Sequence, residues 1–212
     1  MSINTTGFRM RRRVGVPIIL LILLGLFLTS VDTPTAQAGS GLCDSSPVAS
    51  RGERAHGLNI PAYAQIGDYV LVGGANSGAW GQWCHAGIWS YYNGKYGIWE
   101  ATPERQVAFT PVDDWWFWNN WKNAVKVSIK RVWTDGKTRE YAAYWASTRK
   151  GVQYTVGTNK YSLSFEYCSK LVWDAYRMAD SRINLDHNGG PFVVPDDIYN
   201  STWSWLVKYQ KG

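Results

Sequence analysis

The sequence predicts an α+β domain in which antiparallel strands pack against helices and a cysteine opens one of those helices. Three observations carry this expectation. The dipeptide Asn93-Gly94 separates two runs rich in aromatic and β-branched residues, 83–92 and 95–101, and is the strongest short signal for a tight hairpin. Residues 66–72 and 124–132 also have strand character, the second through alternation of apolar and polar side chains. Leu171, Val172, Ala175, Tyr176 and Ala179 recur at helical spacing, which places Cys168 in the first turn of an amphipathic helix.

The chain begins with Arg9, Arg11, Arg12 and Arg13, an uncharged run from Val14 to Ser30, and Ala36-Gln37-Ala38-Gly39. A basic segment, an apolar segment and a small-x-small site form an export signal, so cleavage is expected after Ala38, by the general or the twin-arginine route. The competing expectation is a retained membrane anchor, since the apolar run is near the lower length limit for a span. Leu42-Cys43 is a poor lipoprotein site. Removing residues 1–38 takes away four arginines and Asp32, so the net charge falls from +6 to +3, and 212 less 38 leaves 174 residues, enough for one domain with a sizeable core. A charge that small does not indicate nucleic-acid binding. The expected organisation is a signal over 1–38, an arm without sustained periodicity over 39–64 that wraps or frays, and one domain over 65–212.

Along that domain, Ile66–Val72 is the first strand, entered by a Gly67-Asp68 turn and followed by a glycine-rich loop, 73–78. The loop lacks the Gly-Lys-Ser/Thr ending of a phosphate site. Alternation along the next strand sets Cys84, Ala86 and Ile88 on one face and His85, Gly87 and Trp89 on the other. Closure at Asn93-Gly94 brings positions 85 and 100 within a residue or two of register. Residues 102–122 contain Pro103, Pro111 and the cluster Trp115, Trp116, Trp118 and Trp121, and are expected to form a loop with a short irregular helix. In strand 124–132, Lys126 and Lys130 are expected on the solvated face. A helix over 138–150 follows the Asp135-Gly136 turn and stops at Gly151; 152–156 is extended, and 195–201 is a proline-initiated helical turn. His56 and His187 are expected at the surface.

Chemistry-bearing residues converge. A histidine on one strand, a carboxylate on its neighbour and a cysteine at a helix N-terminus are the base, orienting group and nucleophile of thiol catalysis. The unpaired N–H groups of a helix N-terminus favour a thiolate, and a neighbouring carboxylate fixes a histidine's tautomer. Three cysteines leave one unpaired if any pair forms: Cys43 could pair with Cys84, or all three could stay reduced. The scattered histidines and the absence of Cys-x-x-Cys spacing indicate no metal site, no cofactor is called for, and Gly-x-Ser-x-Gly is absent.

At these residues the sequence resembles the YiiX/YaeF-like enzymes, circularly permuted relatives of the NlpC-type papain-fold cysteine hydrolases. The resemblance runs from about Gly67 to Ser201, through Gly67-Asp68, His85-Ala86-Gly87-Ile88, Trp99-Glu100-Ala101, Tyr167-Cys168-Ser169 and Pro195-Asp196-Asp197-Ile198. The cysteine comes last, as the permutation requires. The resemblance implies a permuted papain-like fold, Cys168 as nucleophile, His85 as base and Glu100 as orienting residue. It also suggests oxyanion stabilisation by the Cys168 backbone N–H, with Tyr167 and Trp83 as further oxyanion or substrate contacts. Lys170 departs from the acidic residue frequent after Tyr-Cys-Ser, a charge that could alter substrate preference. The implied activity is cleavage of an amide through a thioester, with cell-wall peptides as the expected substrate and envelope association possible for an exported enzyme. A lipid-directed acyl hydrolase or acyltransferase, as in lecithin retinol acyltransferase, is the alternative within the fold. Thirteen tryptophans and thirteen tyrosines also admit a non-catalytic, Trp-rich envelope-binding module.

Overall fold

In the computed structural model, which describes residues 58–74, 81–122, 124–156 and 159–211, the hairpin at Asn93-Gly94 is one part of a larger antiparallel sheet. The chain runs through α1 (Ile60–Tyr63), β1 (Tyr69–Gly73), β2 (His85–Tyr92), β3 (Lys95–Thr102), β4 (Gln106–Pro111) and α2 (Trp115–Phe117). A π-helical turn over Trp118–Lys122 leads to β5 (Lys126–Val132), α3 (Gly136–Thr148), α4 (Cys168–Ala179), α5 (Pro195–Asn200) and β6 (Ser204–Lys211). The six strands are ordered β4-β3-β2-β1-β5-β6, and all neighbours pair antiparallel. Both turn residues of the β2–β3 hairpin have positive φ, 49° at Asn93 and 80° at Gly94, the twist a two-residue turn needs to match its strands.

Two apolar clusters form around the sheet. Leu71, Ala86, Ile88 and Trp99 pack with Ala142 and Ala146 of α3 and with Leu171, Val172 and Ala175 of α4. Val70, Val72, Trp89, Ile98 and Ile129 pack with Phe117, Trp121, Leu58 and Ile60. The last residues of the expected N-terminal arm therefore belong to the core rather than fraying. The expected signal, residues 39–57 with Cys43 and His56, and loop residues 75–80 lie outside the described residues. Among the described residues no helix is long and apolar enough to cross a membrane.

Two expectations are corrected. Residues 106–111, expected in a loop, form β4 and close one edge of the sheet against β3. Lys130, expected on a solvated face, is buried: its Nζ donates to the Tyr199 carbonyl and lies 4.9 Å from the centre of that ring. A chain segment 69 positions later supplies the partner, and alternation within β5 cannot announce it.

The Gly67-Asp68 turn fixes how β1 enters. Asp68 is fully buried and accepts from Arg131 Nε at 2.8 Å and from its terminal nitrogen at 2.7 Å, a two-point pairing that ties β1 to β5. Gly67 has φ +90°, and a Cβ there would lie 2.4 Å from the Arg139 carbonyl oxygen. Gly67→Ala is therefore expected to destabilise the fold by about 1–3 kcal/mol, read as a lower urea midpoint; an unchanged midpoint would contradict this close packing of α3 on the turn.

Candidate active site

The site is assembled where β2 begins. Just before it, the Gln82 and Trp83 backbone N–H groups donate to the Asp196 carboxylate at 3.0 and 2.9 Å. Asp197 accepts from Val194 N–H at 2.8 Å and thereby closes the first turn of α5. The Pro-Asp-Asp motif thus clasps the segment that delivers His85, the first residue of β2. On β3, Glu100 pairs with Gly87, so His85 and Glu100 are diagonal neighbours in the ladder, and His85 Nε2 lies 2.8 Å from Glu100 Oε2. Gly87 between them leaves necessary space. A Cβ there would come within 2.3 Å of Ile98 and 3.1 Å of the Trp121 ring, which lies 5.0 Å from the His85 ring, centre to centre.

Glu100 is completely buried and hydrogen-bonded through both oxygens. Oε2 also receives Trp121 Nε1–H at 3.3 Å, and Oε1 receives the Thr110 hydroxyl. Burying a carboxylate is costly unless such donors replace water, and three side chains do so here.

Cys168 is the first residue of α4. Tyr167 precedes it in extended conformation and makes no side-chain cap, so no side chain competes for the first-turn N–H groups. His85 and the backbone N–H groups of Ala86 and Ser169 are the neighbours that act on the thiol in favour of its charged form. With Nε2 on Glu100, the nitrogen left for Cys168 is Nδ1. Burial by itself pushes the thiol up, but the His85 hydrogen bond and charge, with those two N–H groups, bring it below its ordinary value. Burial likewise disfavours the imidazolium, and is outweighed by hydrogen bonds and charges from Cys168 and Glu100, which raise His85 to about 9. Both shifts run in the direction that favours a thiolate beside an imidazolium.

The structure therefore brings Cys168, His85 and Glu100 together. Cys168 is free and Cys84 is disulfide-bonded; Cys43, its expected partner, lies outside the described residues. Tyr167 is buried beside the thiol, and its hydroxyl accepts the Val193 N–H at 3.0 Å, tying the start of α4 to the segment before α5. Trp83, expected as an oxyanion or substrate contact, is fully buried in the core, 4.8 Å from the Tyr199 ring, centre to centre. Lys170 does not present its charge to a substrate, because it is wholly buried between Glu166 and Asp174. Sequence reasoning did not single out Thr110, Trp121 or Asp196 as supporting residues.

A free cysteine at a helix N-terminus, facing a histidine on an antiparallel sheet, is the arrangement of papain-like cysteine hydrolases. The chain belongs to the permuted papain-like amidase family YaeF/YiiX, C92, whose signature matches residues 65–202; this is a cysteine peptidase/amidase family. Among solved structures, the fold is similar to that described as metalloprotein yiiX from Escherichia coli O157:H7, with a TM-score of 0.56 and 19% identity over 71% of this chain and 98% of that one. No curated protein matches the sequence. The word metalloprotein describes that neighbour. Among the described residues, no group of three or more His, Cys, Asp or Glu side chains is placed to hold a metal ion.

Proposed function

We propose that the protein is an exported thiol amidase that cleaves cell-wall peptides through a Cys168–His85–Glu100 triad. The observation that carries this reading is the thiol of Cys168, paired with His85 at a helix N-terminus whose N–H groups are left uncapped. The Cys168 proton resides on His85, and the thiolate adds to the carbonyl carbon of the scissile amide. Negative charge passes to the carbonyl oxygen, where the Cys168 backbone N–H receives it. The His85 imidazolium then protonates the leaving nitrogen, the C–N bond breaks, and a thioester remains. His85 next takes a proton from water, hydroxide adds to the thioester, the C–S bond breaks, and a carboxylic acid leaves. Glu100 holds the imidazole in the tautomer that aims Nδ1 at the thiol throughout.

Amide chemistry is the activity of the family. Cell-wall peptides are favoured by the export signal read in residues 1–38 and by the aromatic segment after β4, where Trp115 and Trp118 are exposed while Trp121 reaches the triad. Indole faces of that kind suit sugar rings beside a peptide stem.

The test is incubation of the purified protein and its Cys168→Ala variant with peptidoglycan fragments and, separately, with acylated lipids, followed by mass spectrometry. New amine and carboxyl ends, absent with the variant, are expected from the peptide substrates. Release of acyl chains alone would transfer the site to the lipid-directed reading, and inertness toward both, with a sluggish Cys168, would favour a binding module.

A further inference from the structure

We propose that Arg105 and Thr110 are positioning residues for the orienting carboxylate: Arg105 fixes the direction of the Thr110 hydroxyl, and Thr110 thereby fixes Glu100 against His85. This rests on the triad reading above and extends it by two residues that touch neither the thiol nor the imidazole.

The register sets the contact. Thr110 on β4 stands opposite Ile98, and Glu100 stands opposite Ala108, so Thr110 and Glu100 are diagonal neighbours on one face of the sheet. Thr110 is fully buried and has one proton to give. Its oxygen accepts from a terminal nitrogen of Arg105 at 2.9 Å. A guanidinium only donates and is always charged, so this contact occupies a lone pair of the hydroxyl and never competes for its proton. That proton is directed to Glu100 Oε1. An ionised carboxylate only accepts, so donor and acceptor roles alternate consistently from the guanidinium to the imidazole.

Arg105 is itself held. Its backbone N–H donates to Thr102 Oγ1 at 3.1 Å, the guanidinium lies 3.8 Å from Asp114, and its central carbon lies 5.5 Å from the Trp116 ring centre. Without Thr110, only the weaker Trp121 contact and His85 would hold the carboxylate. Rotation of Glu100 would then leave His85 less able to keep its charge beside the thiolate.

The experiment is iodoacetamide labelling of Cys168 in the full chain across a pH series, read by peptide mass mapping. The proteins compared are wild type, Thr110→Val, Thr110→Ser, Arg105→Met, the Arg105→Met/Thr110→Val double variant and His85→Ala. Thr110→Val is expected to move the onset of labelling upward in pH and to slow labelling at pH 6 by about ten- to a hundredfold, the worth of a hydrogen bond to a charged group. Thr110→Ser, which keeps the hydroxyl, is expected to label like wild type. Arg105→Met should slow labelling alone but add nothing on top of Thr110→Val, because it acts through that hydroxyl. Should Thr110→Val fail to fold, Arg105→Met in the β3–β4 turn against Thr110→Ser carries the same comparison. Wild-type labelling in Thr110→Val, or effects of the two substitutions that multiply, would overturn the proposal while leaving the triad standing. Indifference of His85→Ala would overturn the triad and this proposal together.

Discussion

Replacing His85 with alanine is expected to lower amide hydrolysis by roughly 100- to 10,000-fold, the range for loss of a positioned general base, and to carry Cys168 labelling up toward the ordinary thiol value of about 8.5. The wild-type pH dependence follows from the two shifted groups. Below the depressed Cys168 value the thiolate takes a proton and attack stops; above about 9, His85 loses the proton it must give to the leaving nitrogen. Hydrolysis should therefore be bell-shaped, with its acid limb below the ordinary thiol range and its alkaline limb near 9. Because the two groups titrate against each other, the limbs belong to the pair rather than to either residue. A single limb near 8.5 that survives His85→Ala would remove the ion pair from the mechanism.

The second large effect is on stability. Lys170→Met is expected to destabilise the fold by about 3–5 kcal/mol near neutral pH, because it leaves buried Asp174 without its paired cation and buried Glu166 with Arg149 alone. Lys170 lies 3.1 Å from Glu166 and also pairs with Asp174, and Arg149 reaches the other Glu166 oxygen at 3.1 Å. Even so, burial outweighs these partners and holds Glu166 up at about 7 and Asp174 above its ordinary value. A carboxyl raised on folding contributes most below its unfolded value, and that contribution is lost as pH rises through about 7. Removing Lys170 raises both carboxyls further, so the deficit of the variant should be greatest above pH 7 and shrink toward pH 5. Urea unfolding at the two pH values measures this. Equal losses at both would show that the lysine acts through its packed alkyl chain alone.

The parts of the fold written in local pattern were legible. Asn93-Gly94 specifies its turn through backbone conformations few residues tolerate, and α4 shows its apolar stripe within three turns. His85 and Glu100 could be placed beside each other because a hairpin fixes the distance between positions 85 and 100 by counting. Strand β4 was hidden: Pro103 and Pro111 bracket it, and Gln106, its first residue, has φ +59°. Lys130, Lys170 and Trp83 were misjudged for one physical reason. A cation or an indole is assigned outward or toward a ligand by its own chemistry, whereas its burial depends on what arrives from distant sequence: Tyr199 over Lys130, Glu166 and Asp174 around Lys170, and Tyr199 and Tyr209 on Trp83. The contacts of Thr110 and Trp121 with Glu100 cannot be read from the sequence, because they exist only once Glu100 is buried between them.

The order of the strands and helices along the chain also dictates when the site comes into being. His85 and Glu100 are made together on one hairpin, while Cys168 follows after the intervening stretch, roughly 3–14 seconds later at about 5–20 residues per second. The clasp of Asp196 on the segment before His85, and the edge strand β6 that completes the sheet, come later still. A nascent chain thus carries His85 and Glu100 before Cys168, and Cys168 before the clasp that seats the start of β2. The three side chains meet only after the segments that hold them in place have followed Cys168 out.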